Sequence, residues 1–154
     1  MDSLDAEDMT DLFTADYNIR TRFKGVYAID EIPRLKTDKL VVVNLDPSNM
    51  PGSHWTVIYN KEGSVIEYFD SRGMKPPRSV ADYLLSYTKE CIYSTRRLQQ
   101  YQTSSCGLFC LYYSFYASRK CDLQHIVNNF HDNLNINEYI VANFAKHYTL
   151  MYNI

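Results

Sequence analysis

No apolar run in this chain reaches 18 residues, which leaves no candidate for a membrane-spanning helix. The four cysteines, Cys91, Cys106, Cys110 and Cys121, form no Cys-x-x-Cys pair, so the spacing of a zinc site is missing and no metal is expected. No secretory leader pattern opens the sequence. Free thiols in a reducing intracellular compartment are therefore the expectation. The net charge is only −2, too small to argue for strong binding to nucleic acid or to a membrane surface. Repeats, low-complexity tracts and linkers are also missing, so residues 1–154 are expected to form one domain.

What remains is globular composition, 45% hydrophobic and 22% charged, with enough length for a proper core. The charge is uneven. Residues 1–19 carry six acids and no base, whereas residues 72–97 carry Arg72, Lys75, Arg78, Lys89, Arg96 and Arg97 against Asp82 and Glu90. Both stretches read first as solvated surface. The basic one also offers a face to an acidic partner.

Residues 3–14 read as a short amphipathic helix. Phe23–Ala28 gives a short strand, and Lys39–Leu45 is a β-branched run suited to a strand covered on both faces. A loop dense in turn residues follows at 46–52. Trp55–Tyr59 and Ser64–Phe69, joined by Asn60–Gly63, read as a hairpin. A turn centred on Glu62 sets Ile58 opposite Ile66, Thr56 opposite Tyr68 and His54 opposite Asp70, all on one face. A one-residue shift of that turn is expected to spoil the last pairing.

Beyond the Ser71-Arg-Gly73 turn, Ser79 with Asp82 resembles a helix cap, followed by Val80, Tyr83, Leu84 and Tyr87 at helical spacing. Cys91–Leu98 reads as a strand. Cys106 to about Ala117 is apolar nearly all round and reads as a buried central helix. Asp122 caps a helix to about Phe130, and a last helix runs from about Ile136 to His147. The expected class is α+β, a mixed central sheet flanked by helices around one buried helix.

Cys106 opens that central helix. A thiol there sits at the positive end of the helix dipole, which favours thiolate; the plain alternative is a buried small hydrophobe. A cysteine nucleophile also needs a base, a group to orient the base, and oxyanion donors. The chain offers His54, Asp70, and Gln99 or Gln100 in that order. The Cys106 backbone N–H would be one donor and an upstream amide the other. Trp55 reads as core, or as a cover over the imidazole on the substrate-binding side. Cys110, one turn deeper than Cys106, reads as core, and His125, His131 and His147 read as surface or satisfied histidines.

Gly52-Ser-His54-Trp55, Glu67-Tyr-Phe-Asp70-Ser71 and Gln99 to Cys106-Gly-Leu-Phe-Cys110 together resemble the three signature blocks of the adenovirus-type cysteine proteases. That family shares its fold with the SUMO-deconjugating proteases. Phe23-Lys-Gly25-Val-Tyr and Asn44 to Gly52 resemble the versions carried by adenoviruses, Maverick/Polinton elements and related viruses.

The resemblance implies a papain-like, adenain-like fold and a thiol endopeptidase with His54 as base, Asp70 as orienting acid and Cys106 as nucleophile. It implies Gln99 as oxyanion donor on the viral spacing, or Gln100 on the SUMO-protease spacing. Adenoviral relatives often carry Glu where this chain has Asp70. Cleavage after glycine-containing motifs, maturation of capsid precursors and a place in the host nucleus or cytoplasm or in the virion follow from the same likeness. So do stimulation by DNA and by a short peptide that pairs with a cysteine, here Cys91. The chemistry itself requires no cofactor. Release of a ubiquitin-like modifier is the alternative activity, and an inactive binding module is a further one.

Overall fold

Runs of β-branched and aromatic residues between turn residues build the sheet, and a computed structural model of the chain describes residues 3–46, 48–49 and 54–154. Its strands are β1 (Phe23–Ala28), β2 (Lys39–Asn44), β3 (Trp55–Asn60), β4 (Val65–Phe69) and β5 (Glu90–Tyr93), in the spatial order β1-β2-β3-β4-β5. The pairs β1–β2 and β4–β5 are parallel, while β2–β3 and β3–β4 are antiparallel. The helices are α1 (Ala6–Ala15), α2 (Tyr17–Arg20), α3 (Arg78–Leu85), α4 (Cys106–Ala117), α5 (Leu123–Asn128) and α6 (Leu134–Tyr152). The expected α+β class, a mixed sheet flanked by helices, is the observed one. No helix is long and apolar enough to cross a membrane among the described residues.

Alternation along β2 shows why the sheet is covered on both faces. Leu40 and Val42 join the larger core with Val57, Tyr59, Phe69 and α1, α4 and α6. Val41 and Val43 join a second core with Ile58, Ile66 and Tyr68, closed by Val80 and Leu84 of α3. A strand with both faces buried loses the polar alternation of a half-exposed one. That is why Lys39–Leu45 reads as a continuous apolar run.

Helix α4 crosses the larger core, and nine of its 12 residues are buried. Each buried Leu or Phe contributes roughly 1.5–3 kcal/mol, so a helix sunk this deeply is a rigid seat for whatever stands at its first turn. Gly107 lets α1 approach that turn: a Cβ there would lie 2.9 Å from the Met9 sulfur and 3.0 Å from a Leu4 methyl.

Several boundaries differ from the sequence expectation. The hairpin register pairs Ile58 with Tyr68 and Asn60 with Ile66, so the turn centres on Gly63, at φ +82°, not on Glu62. Glycine takes that backbone without a Cβ penalty and decides the register. Helix α3 starts at Arg78, with Pro77 rather than Ser79 at the cap position and no side-chain cap bond. β5 ends at Tyr93, and 94–105 is irregular chain held by side chains rather than a strand through Leu98. Helix α6 runs on to Tyr152, past the expected end at His147. Helix α2 was not anticipated; it is four residues long and capped by the Asp16 carboxylate on the Ile19 N–H. The expected turn-rich loop includes Pro47, Met50, Pro51 and Gly52, which lie outside the described residues, as does Ser53 of the His54 block.

Candidate active site

His54 and Asp70 stand just beyond the paired ends of β3 and β4, where the hairpin opens towards the start of α4. His54 Nε2 lies 2.7 Å from Asp70 Oδ1, with both residues at most 5% exposed. The turn shift that was expected to spoil this pairing does not. Moving the turn by one residue moves the register by two, which keeps both side chains on the same face. Asp70 is then diagonal to His54 rather than opposite, and the imidazole spans the gap. The same Oδ1 also accepts the Arg72 backbone N–H at 2.8 Å, which closes a tight turn behind the carboxylate.

Cys106 is the first residue of α4 and is buried. Its thiol lies close enough to the imidazole for each to shift the other's titration. With Nε2 committed to Asp70, Nδ1 is the ring nitrogen left to face sulfur, and it closes no short hydrogen bond among the described residues. Contacts of this kind often tighten only when substrate is bound.

For His54, burial disfavours the cation, but the hydrogen bond to Asp70 and the nearby Cys106 sulfur outweigh it and raise the pKa. For Cys106, burial disfavours the anion, but interaction with His54, the Trp55 main chain and the positive Arg72 lowers the pKa. Both shifts act in the direction of an imidazolium–thiolate pair. Cys110 has the opposite fate. It is fully enclosed, burial pushes its pKa far up, and its thiol donates to the Trp55 carbonyl at 3.3 Å.

The two glutamines separate clearly. Gln99 is fully buried: its Oε1 accepts from Ser71 Oγ at 2.7 Å, and its Nε2 donates to Thr103 O and Oγ1 at 2.9 and 3.1 Å. The Ser71 carbonyl accepts the N–H groups of both Leu98 and Gln99. The turn that carries Asp70 thus also seats Gln99. Gln100 points the other way, its amide donating to the Asn135 side-chain Oδ1 on α6. Ser71 lay in plain view beside Asp70, and sequence reading gave it only a turn role. Thr103 left no comparable signal.

Trp55 packs in the larger core, and its indole N–H donates to the Leu4 carbonyl at 2.9 Å. Its main chain interacts with Cys106. Cys91 lies on β5, partly exposed, with its pKa raised by burial. It opens on a groove of about 370 Å³ shared with Lys75, Arg78, Leu84, Leu85 and Tyr93. Two bases of the 72–97 stretch are engaged internally. Arg96 holds the Val127 and Phe130 carbonyls and Asp132, and Arg97 holds the Gln99 carbonyl and stacks on Tyr101. Among the described residues no cluster of three or more His, Cys, Asp or Glu side chains is gathered as a metal site.

No protein-family model and no curated protein sequence matches this chain. Solved structures do. The crystal structure of the ASFV pS273R protease matches 90% of this chain and 66% of that one, with a TM-score of 0.61 and 17% identity. Its selenomethionine form matches 66% of this chain and 43% of that one, with a TM-score of 0.51 and 24% identity. The central domain of the uncharacterized Lpg1148 protein from Legionella pneumophila matches 99% and 98% of the two chains, with a TM-score of 0.58 and 16% identity. This chain thus spans roughly half to two thirds of the protease it resembles. What these likenesses share with it is the fold, a mixed α+β architecture with a five-stranded sheet flanked by helices.

Proposed function

We propose that this chain is a thiol endopeptidase. The observation that carries the reading is the buried His54–Asp70 contact of 2.7 Å set against a cysteine at the first turn of a buried helix. Asp70 holds Nε2–H, fixes the tautomer and stabilises the imidazolium. His54 takes the thiol proton through Nδ1 and returns it to the leaving amine. Cys106 attacks the carbonyl, and the acyl-enzyme is hydrolysed by water in a second step. The Cys106 backbone N–H, unpaired within the helix by its position, receives the oxyanion together with the Gln99 amide. The fold shared with a protease supports the same reading.

The natural role proposed is maturation of capsid precursors at glycine-containing sites, in an adenovirus-like virus or element, within the infected cell or the virion. It rests on the resemblance of the three sequence blocks. A peptide partner at Cys91 and stimulation by DNA belong to the same proposal. The groove beside Cys91 gives the peptide a seat, while the internal engagement of Arg96 and Arg97 leaves fewer bases for DNA.

An electrophilic thiol probe with mass mapping, run beside a panel of capsid-precursor peptides and a modifier amide, tests the reading. Labelling of Cys106, and peptide turnover lost in Cys106→Ala, is the expected result. Labelling that ignores Cys106 overturns it, and release from the modifier alone overturns the capsid role. A DNA effect should fall steeply with added salt; an effect indifferent to salt is not DNA binding.

A further inference from the structure

The chain between Gln99 and Cys106 carries both proposed oxyanion donors, yet it is irregular and has little regular structure of its own to hold it. One carboxylate on a distant helix closes it. Glu138 Oε2 accepts the Gln100 backbone N–H at 3.1 Å, and Oε1 accepts the Ser105 hydroxyl at 2.6 Å. The first bond is to the residue after Gln99 and the second to the residue before Cys106. Adjacent positions on α6 reinforce the grip: buried Asn137 donates to the Leu98 carbonyl at 3.1 Å, and Asn135 meets the Gln100 side chain.

The Ser105 bond has a second consequence. Ser105 is the N-cap of α4, where a serine hydroxyl ordinarily accepts from the first backbone N–H groups of its own helix. Here it makes no such cap bond: its hydrogen goes to Glu138 and its oxygen meets Thr103 Oγ1 at 3.1 Å. Hydrogen bonds to a carboxylate are roughly twice as strong as neutral ones, so the Glu138 bond fixes how the Ser105 hydroxyl is turned. The amides at the start of α4 are left free of their own cap.

We propose that Glu138 is a positioning residue for hydrolysis: it staples both ends of the 99–106 segment, so that Gln99 and the Cys106 N–H converge on one oxyanion. The proposal rests on the reading of Cys106 as nucleophile and Gln99 as donor. Glu138 makes its hydrogen bonds to Gln100 and Ser105 and none to His54, Asp70 or Cys106 among the described residues. Its loss should therefore slow the step that builds oxyanion charge and leave thiolate formation alone.

The test compares wild type, Glu138→Ala, Glu138→Gln and Cys106→Ala by peptide turnover, iodoacetamide alkylation of Cys106, and amide hydrogen exchange through residues 100–105. Glu138→Ala should lower kcat about 10- to 100-fold with little change in KM. Its alkylation rate should stay within about twofold of wild type, and exchange at Gln100 should quicken. Glu138→Gln, which keeps an acceptor oxygen, should recover part of the turnover. Turnover within about twofold of wild type in Glu138→Ala, unchanged exchange at Gln100, or an alkylation rate that falls in step with turnover overturns the proposal. Failure of the underlying reading looks different: Cys106→Ala would then retain the activity of wild type.

Discussion

Burial alone would leave His54 neutral and Cys106 protonated; their mutual contact and Asp70 reverse both tendencies. The pH consequence follows from the two directions. The thiol ionises below its ordinary value of 9.0 and the imidazolium persists above its ordinary 6.5, so both shifts act towards the imidazolium–thiolate pair. Alkylation of Cys106 by iodoacetamide should already be fast well below pH 9. In His54→Ala the midpoint should move up, because burial of the thiol is then opposed only by the Trp55 main chain and Arg72. An unchanged midpoint would show that the pair contributes nothing to the thiolate. The neighbouring glutamines make a second contrast. Gln99→Ala should cut kcat by about 10²–10³, the usual loss for an oxyanion donor. Gln100→Ala, whose side chain faces α6, should stay within a few-fold. Steady-state kinetics on the two variants decides between them.

Among the elements, the turn after β4 works hardest. Asp70 reaches His54, the Ser71 carbonyl takes the Leu98 and Gln99 amides, and the Ser71 hydroxyl takes the Gln99 side chain. Gly73 closes that turn at φ +70°, and a Cβ there would lie 2.6 Å from the Arg96 carbonyl carbon. Neither the backbone conformation nor the space admits a side chain. Gly73→Ala should therefore cost more than about 1 kcal/mol in chemical denaturation. It should also lower turnover by more than that loss of folded protein explains, since the strain falls on the segment leading into Gln99. A variant as stable and active as wild type would show that the 96–99 segment is free to move away.

Across the molecule, distant parts of the chain meet on buried carboxylates. Asp16, 1% exposed, receives Arg119 through both guanidinium nitrogens at 2.7 and 3.1 Å, the Tyr152 hydroxyl and the Ile19 N–H. It ties α2 to the ends of α4 and α6. Glu67 does the same for β4, α4 and α5, taking Tyr113 Oη at 2.6 Å and the Leu123 N–H at 2.9 Å. Burial pushes the Asp16 pKa up, but its bonds to Arg119, Tyr152 and Ile19 prevail and hold it below the ordinary 3.8. A depressed carboxyl stabilises the fold above the unfolded value and loses that contribution as pH falls through the folded one. Asp16→Asn should thus cost about 1–3 kcal/mol near neutrality. The gap from wild type should shrink below pH 3.8. Urea melts at several pH values measure it, and a gap independent of pH would remove Asp16 from the acid response.

Local chemistry was enough to reveal the β-branched strand 39–45, the hairpin, the all-apolar central helix with Cys106 at its start, and the order His54, Asp70, Cys106, since each is written in neighbouring residues. The different settings of Gln99 and Gln100 were not, because adjacent residues of irregular chain point in opposite directions and only their contacts with Ser71 and Asn135 tell them apart. The hairpin register needed Gly63 to adopt positive φ, a conformation that the preceding Glu62 also made plausible as a turn. Ser71, Thr103 and Glu138 act across as many as 38 residues of separation, as in the bond from Gln100 to Glu138. No periodicity records a hydrogen bond of that reach. Packing of α6 against α4 creates it, and with it the shape of the proposed oxyanion site.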